Sequence, residues 1–174
     1  VPDALRREPG VTGLSGLGGQ FADVNIRGID GAGAVIVSVD GAEKNQVVQS
    51  HGVNQNPIYL TTGFLKQVTV ARGPVSNTFG TGSVGGRVDF QTYDPADFLQ
   101  GGGSFGGQIE AVDTSVGDGG GLTGIFAQRL NEQVEILFGV SYFEVGNYED
   151  GDDVEVTNSD RSVAAGLFKL TYAA

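Results

Sequence analysis

The sequence predicts a mainly β protein in two parts: a Gly-rich N-terminal domain, then about four long antiparallel strands. Three observations carry this. Gly supplies 30 of 174 residues and Pro 5, and Gly at more than twice its usual ~7% share suits a turn-rich β fold better than a helical bundle. Charge divides unevenly: residues 1–100 carry seven Lys/Arg and nine Asp/Glu, residues 101–174 three and twelve, which marks two unlike segments. From Ser104 onward, four alternating runs approach the ~9–11 residues with which a tilted strand crosses a bilayer.

The elements follow in order. Asp3 is placed to cap a short helix over Ala4 to Glu8, which Pro9-Gly10 ends. A Gly-rich stretch, Val11 to Gln20, leads into Asp23-Val24-Asn25-Ile26-Arg27-Gly28, an alternating strand. Ala34 to Val39 is a continuous apolar run, hence a more deeply buried strand, and Asp40-Gly41 closes it. Ala42 to Thr62 is polar and aperiodic, contains the only histidine, His51, and reads as an exposed loop. Phe64 to Val70 resumes a buried pattern that Arg72-Gly73-Pro74 terminates, and Gly80 to Gly86 turns into the strand Arg87 to Thr92. The four long runs are Ser104–Asp113, Leu122–Leu130, Gln133–Phe143 and Ser162–Ala173.

In the third run Val134, Ile136, Phe138, Val140 and Tyr142 form one wholly apolar face, and Gln133, Glu135, Leu137, Gly139, Ser141 and Phe143 a mixed one. A soluble sandwich alternates in the same way, so period alone does not separate it from a membrane barrel. Connection lengths favour the barrel. The turn after Leu130 is tight, whereas Glu144 to Arg161 is long and holds seven carboxylates against one Arg, in keeping with short periplasmic turns and long outer loops. Lipid contact at Phe138 then predicts a cost of ~2–4 kcal/mol for Arg there, and much less for Arg at 137.

Composition also excludes. No Cys means no disulfide scaffold, thiolate metal site or Cys nucleophile. No Met means no initiator, which is expected of a processed product or a piece of something longer. A net charge of −11 with no basic cluster beyond Arg6-Arg7 disfavours nucleic acid as a partner. The N-terminus has no apolar stretch of signal-peptide length, and no run reaches the ~18 apolar residues of a spanning helix. No Ser–His–Asp order, shielded carboxylate pair or His cluster supports catalysis, so an enzyme is not expected.

The run from Arg72-Gly73-Pro74 through Gly80-Thr81-Gly82-Ser83-Val84-Gly85-Gly86-Arg87-Val88-Asp89-Phe90 resembles the plug domain of TonB-dependent outer-membrane receptors. Leu5 to Val11, Val24 to Gly28, Val37 to Gly41 and Leu65 to Val70 occur in the family's order, with departures at Thr69, where an acidic residue is usual, and at Thr62-Gly63. Asp94 to Leu99, Asn158-Ser159-Asp160 and Gly166 to Leu170 are similar to the heme and hemoglobin receptors. The resemblance implies a plug over residues 1–97 and, over 98–174, the first strands of an incomplete transmembrane β-barrel of ~22 strands. It implies a Gram-negative outer-membrane receptor that binds an iron carrier, heme first and a ferric siderophore as the alternative, or a heme-carrying protein. Import would be driven by a TonB-type energy-coupling complex acting through a segment ahead of Val1, with outer-membrane lipid around the wall. A secreted, acidic Ca²⁺-binding β adhesin is the reading from a different class.

Site residues follow from the same resemblance. His51, or Tyr59, is the candidate ligand for heme iron, against the plainer reading of a solvated loop. Arg27, Arg72 and Arg87 are expected to pair with carboxylates of the barrel lumen, against plain surface charge. Gly28, Gly73, Gly80, Gly82, Gly85 and Gly86 are expected to serve backbone turns and close approaches. Gly80-x-Gly82-x-x-Gly85 also spells a dinucleotide fingerprint, but that chemistry needs a helix after it and Arg87 to Thr92 alternates as a strand. Glu149 to Glu155 has oxygen ligands suited to Ca²⁺ at the wrong spacing for a calcium hand and reads as a solvated loop. No resident cofactor and no metal site are expected.

Overall fold

The structure, a computed structural model, describes residues 5, 8–15, 21–31, 33–44, 48–50, 53–55, 58–75, 83–115 and 117–173. The chain forms two compact units, Val1–Thr92 and Tyr93–Ala174.

In the first unit β1 (Val11–Ser15) pairs antiparallel with β2 (Phe21–Ile26), and β7 (Ile58–Tyr59) adds to the other edge of β2. A mixed sheet has the order β4-β3-β9-β8, from Ala42–Glu43, Val35–Val39, Gly86–Thr92 and Leu65–Arg72. Its centre is the parallel pair β3–β9. That position explains the unbroken apolar run Val35-Ile36-Val37, because a strand flanked on both sides and covered on both faces has little polar face to show. Both Arg27-Gly28 and Asp40-Gly41 have positive φ at the two central positions, at 53° and 85° and at 49° and 80°. These are the dihedral signs of a two-residue type I′ turn, whose twist matches that of paired strands, and they join Ile26 to Ile29 and Val39 to Ala42.

The two sheets share one core: Val11, Val24 and Ile26 from one, Val35, Val37, Val88 and Phe90 from the other, with Leu5 fully buried among them. Each such side chain contributes ~1.5–3 kcal/mol by leaving water. Leu5 is helical, but the rest of the expected helix over Ala4 to Glu8, apart from Glu8, and its Asp3 cap lie outside the described residues.

Two expectations need correction. Val11 to Ser15 is not only a lead-in but strand β1. Ala42 to Thr62 is not one open loop: it holds β4, β5 (Val48–Ser50), β6 (Val53–Gln55), β7 and the start of a 3-10 turn, Thr62–Phe64. Strands of two or three residues are too short to show a period, and their pairing comes from neighbours, β6 for β5 and β2 for β7.

The second unit begins with α1 (Pro95–Phe98) and a 3-10 turn at Gln100–Gly102, then forms one antiparallel meander: β10 (Phe105–Thr114), β11 (Gly119–Arg129), β12 (Val134–Val145) and β13 (Arg161–Tyr172). The strands run 10, 11, 12 and 12 residues, enough for a tilted bilayer crossing. Register sets the faces. Gly107↔Phe126, Phe126↔Phe138 and Phe138↔Phe168 lie side by side, as do Leu122↔Tyr142, Ile136↔Leu170 and Val134↔Tyr172. Phe105, Ile109, Leu122, Phe126, Phe138, Val140, Phe168, Leu170 and Tyr172 are accordingly exposed on one face, an apolar band of the kind a barrel turns to lipid. Tyr172 stands beside the tight turn and Tyr142 beside the long loop, at opposite ends of the band.

The opposite face carries α1. Gly106 lets it approach, because a Cβ there would collide with the carbonyl oxygen of Phe98. Pro95, Leu99, Ile125, Ala127 and Leu137 are buried. The expected tolerance for Arg at 137 therefore fails: Leu137 is 0% exposed, so a charge there would be buried without a partner.

Two predictions follow from this packing. Gly86 has φ +142°, and a Cβ on it would strike the carbonyl oxygen of Ala71 and come within 2.9 Å of Ile26 Cδ1. Gly86→Ala should cost ~2–4 kcal/mol through overpacking and backbone strain, whereas Gly28→Ala, with φ +85° and open space around it, should cost ~1 kcal/mol; urea-dependent proteolysis of the first unit in the full-length protein measures both. In the sheet, Phe138→Arg should destabilise membrane insertion by ~2–4 kcal/mol, and Ala165→Arg, half-buried on the opposite face, by less than ~1 kcal/mol, read from urea titration in liposomes.

Candidate functional site

The motif from Arg72 to Arg87 closes on itself. Arg72 pairs with Gly86 across β8–β9, and the Gly73 amide donates to the Gly85 carbonyl at 2.9 Å. The Gly85 amide in turn donates to the Ala34 carbonyl at 2.9 Å, and a Cβ on Gly85 would come within 2.8 Å of Ile29 Cγ2. The excursion between Gly73 and Gly85 thus leaves and re-enters the sheet at one point, which requires the backbones to approach without side chains. Ser83, buried, donates to the Gly86 carbonyl at 2.7 Å and fixes the re-entry. Gly86–Thr92 is a strand, so the helix that a dinucleotide fingerprint needs is not there. Gly80 and Gly82 lie outside the described residues.

The three arginines occupy different settings. Arg27 is exposed in the β2 turn, its amide donating to the Gly10 carbonyl at 2.8 Å. Arg72 reaches Glu8 at 2.7 Å, tying the segment before β1 to the end of β8. Arg87 donates to Ser38 Oγ at 2.9 Å and lies 3.4 Å from Asp89, while Ser38 donates to Asp89. Ser38 is fully buried and the two charges are largely so; a buried carboxylate is stable only with such donors. Asp40 adds a second tie, accepting from the Thr92 amide at 2.8 Å and the Thr92 hydroxyl at 2.7 Å at the end of β9.

His51 lies outside the described residues, in the connection between the paired strands β5 and β6. Tyr59 ends β7, opposite Phe21 of β2.

On the α1-bearing face of the four-stranded sheet, polar side chains form ordered pairs. Thr123 and Ser141 hydroxyls meet at 2.8 Å, Arg129 pairs with Glu135 at 2.8 Å, and Lys169 pairs with Asp94 at 2.9 Å. Asp94 also caps α1 in a reciprocal box with Asp97, so Lys169 holds the helix start against β13. At the long-loop end, the Arg161 guanidinium lies 5.3 Å from the Phe143 ring centroid. Sequence reading did not single out Lys169, Arg161 or Phe143; strand parity was the available signal, since Phe143, Arg161 and Lys169 share a face once β12 and β13 are paired.

The loop from Gly146 to Asp160 is built by its own hydrogen bonds. Asn147 Oδ1 accepts from the amides of Ser159 and Asp160, each at 3.0 Å. Asp150 Oδ1 accepts from the amides of Asp152 and Val154. That carboxylate shapes the turn, and among the described residues no group of three or more His, Asp or Glu is arranged to hold a metal ion.

Comparison with known proteins places these features. The TonB-dependent receptor plug domain family matches residues 1–87. TonB-dependent heme receptor A of Haemophilus influenzae is 30% identical over 167 residues, covering 94% of this chain and 22% of that protein. The hemin receptor of Yersinia enterocolitica is 29% identical over 172 residues, covering 98% of this chain and 24% of that protein. Among solved structures, the Serratia marcescens hemophore receptor HasR, in complex with its hemophore HasA and heme, superimposes with a TM-score of 0.88 at 26% identity, covering 100% of this chain and 26% of that one. The chain thus spans about a quarter of the length of the relatives it matches. Its plug-type first unit and the meander of bilayer-length barrel strands that follows make the chain a member of the TonB-dependent receptor family.

Proposed function

We propose that the full-length receptor containing this chain sits in the outer membrane of a Gram-negative bacterium, binds heme at the cell surface and imports it as the plug is moved by a TonB-type complex. One observation carries the reading: the likeness to receptors named for heme or hemin runs through both units, over 94% and 98% of the chain, rather than through the plug alone. The family assignment replaces the adhesin reading, and transport rather than catalysis is the activity that fits.

Within this reading residues 1–97 are the plug and 98–174 the first part of the wall. Arg27, Arg72 and Arg87 are the proposed points of ion pairing between plug and wall; the Glu8–Arg72 pair and the Ser38–Arg87–Asp89 group hold the plug's own strands together meanwhile. The Glu8–Arg72 pair is partly exposed and such pairs are worth little each, so it can be exchanged as the plug moves. A pull passed on from a segment ahead of Val1 reaches Glu8 before β1, so the Glu8–Arg72 pair is among the first contacts under load. His51 is the proposed axial ligand for heme iron, with Tyr59 second; neutral imidazole binds ferric heme well, and no Cys or Met competes in this chain. A heme-carrying protein is the proposed donor at the surface.

Titration of the purified full-length receptor with hemin tests this. The wild type should bind with a saturable Soret shift, and His51→Ala should change the band and weaken binding about tenfold, one lost ligand's worth, with folding intact. An unchanged spectrum and affinity would remove His51 from the site. Binding of a ferric siderophore but not hemin would replace the substrate and keep the receptor.

A further inference from the structure

We infer that Arg161, set over the ring of Phe143, is a recognition element for the carboxylates of the incoming ligand; the inference rests on the heme reading and names the part of heme that Arg161 meets. The α1-bearing face of the sheet holds three cations, Arg129, Lys169 and Arg161. The first two are ion-paired, to Glu135 and Asp94. Arg161 forms no ion pair with any described carboxylate, although the connection that precedes it carries six acidic residues. Three of the neighbouring carboxylates are engaged elsewhere: Asp150 by backbone amides, Glu155 by Asn147 at 3.0 Å, and Glu144 of β12 by the Tyr142 hydroxyl on the apolar face. The guanidinium faces an aromatic ring at 5.3 Å instead, a cation–π contact that leaves its N–H edge available for hydrogen bonding.

Its place is fixed rather than fortuitous. Asn147, two residues beyond β12, receives the amides of Ser159 and Asp160, so the loop is cinched immediately before Arg161. Holding the cation in place before the ligand arrives lowers the ordering cost of binding. The site lies at the long-loop end of the strands, which in the barrel reading is the extracellular rim, on the face turned away from lipid. A rim rich in carboxylates repels anions, and one cation backed by an aromatic ring meets both chemistries of heme: a flat aromatic macrocycle and a pair of ionised propionates, which a guanidinium can grip in bidentate fashion.

The test is titration of the full-length receptor in detergent with hemin and with its dimethyl ester, in which the propionate charges are removed. Arg161→Ala and Arg161→Gln are compared with wild type, and heat-modifiable migration identifies folded barrels, so that either folded variant carries the test. The wild type should prefer hemin over the ester; the variants should lose about fivefold in hemin affinity while ester affinity stays within about twofold of wild type, collapsing the preference. Equal losses for both ligands, or none for either, overturn the assignment of Arg161 while leaving heme binding standing. A wild type that binds neither ligand overturns the heme reading and this inference with it.

Discussion

The second unit depends on one constraint: an antiparallel ladder in which the partner of each residue of β10, β11, β12 and β13 is fixed. In a bilayer every backbone amide and carbonyl must find its partner in the protein, so the register is not negotiable once the strands lie in lipid. A slip of one residue would exchange the two faces. It would bring Glu135 and Lys169 to lipid, and Phe138 and Phe168 to the face that carries α1. The placement of the aromatic residues, the ion pairs and Arg161 all descend from that register.

A different physical problem is solved in the first unit. Its centre is a parallel strand pair reached only after a long excursion, and the two strands are locked by buried polar contacts as well as by apolar packing. Ser38, Arg87 and Asp89 join β3 to β9 on one side, and Asp40 holds Thr92 at the end. Charges satisfied in this way cost less to bury than unpaired ones but add little net stability; their value lies in specifying which strand pairs with which. The Gly85-Gly86 pair completes the arrangement by letting three backbones meet where any side chain would intrude.

Long elements were legible in the sequence because their periods were long enough to read. The four barrel strands, with the face Val134 to Tyr142, come directly from alternation, and β3 from its unbroken apolar run. Short elements were not. β5, β6 and β7 have two or three residues each, and their existence depends on partners that only the fold supplies. Leu137 shows the same limit at a single residue: its parity was read correctly, but its complete burial comes from tertiary cover that strand alternation does not show. Lys169 and Asp94 stand 75 residues apart, and no local pattern joins them.

The proposed import of heme to the periplasm by the full-length receptor can be measured in living cells. Its most direct measurement is growth of a Gram-negative strain that lacks heme receptors of its own, expressing the full-length protein, with hemin as sole iron source. Growth that requires both the receptor and an intact energy-coupling complex is the predicted result; no growth on hemin, with the receptor folded in the outer membrane, would contradict it.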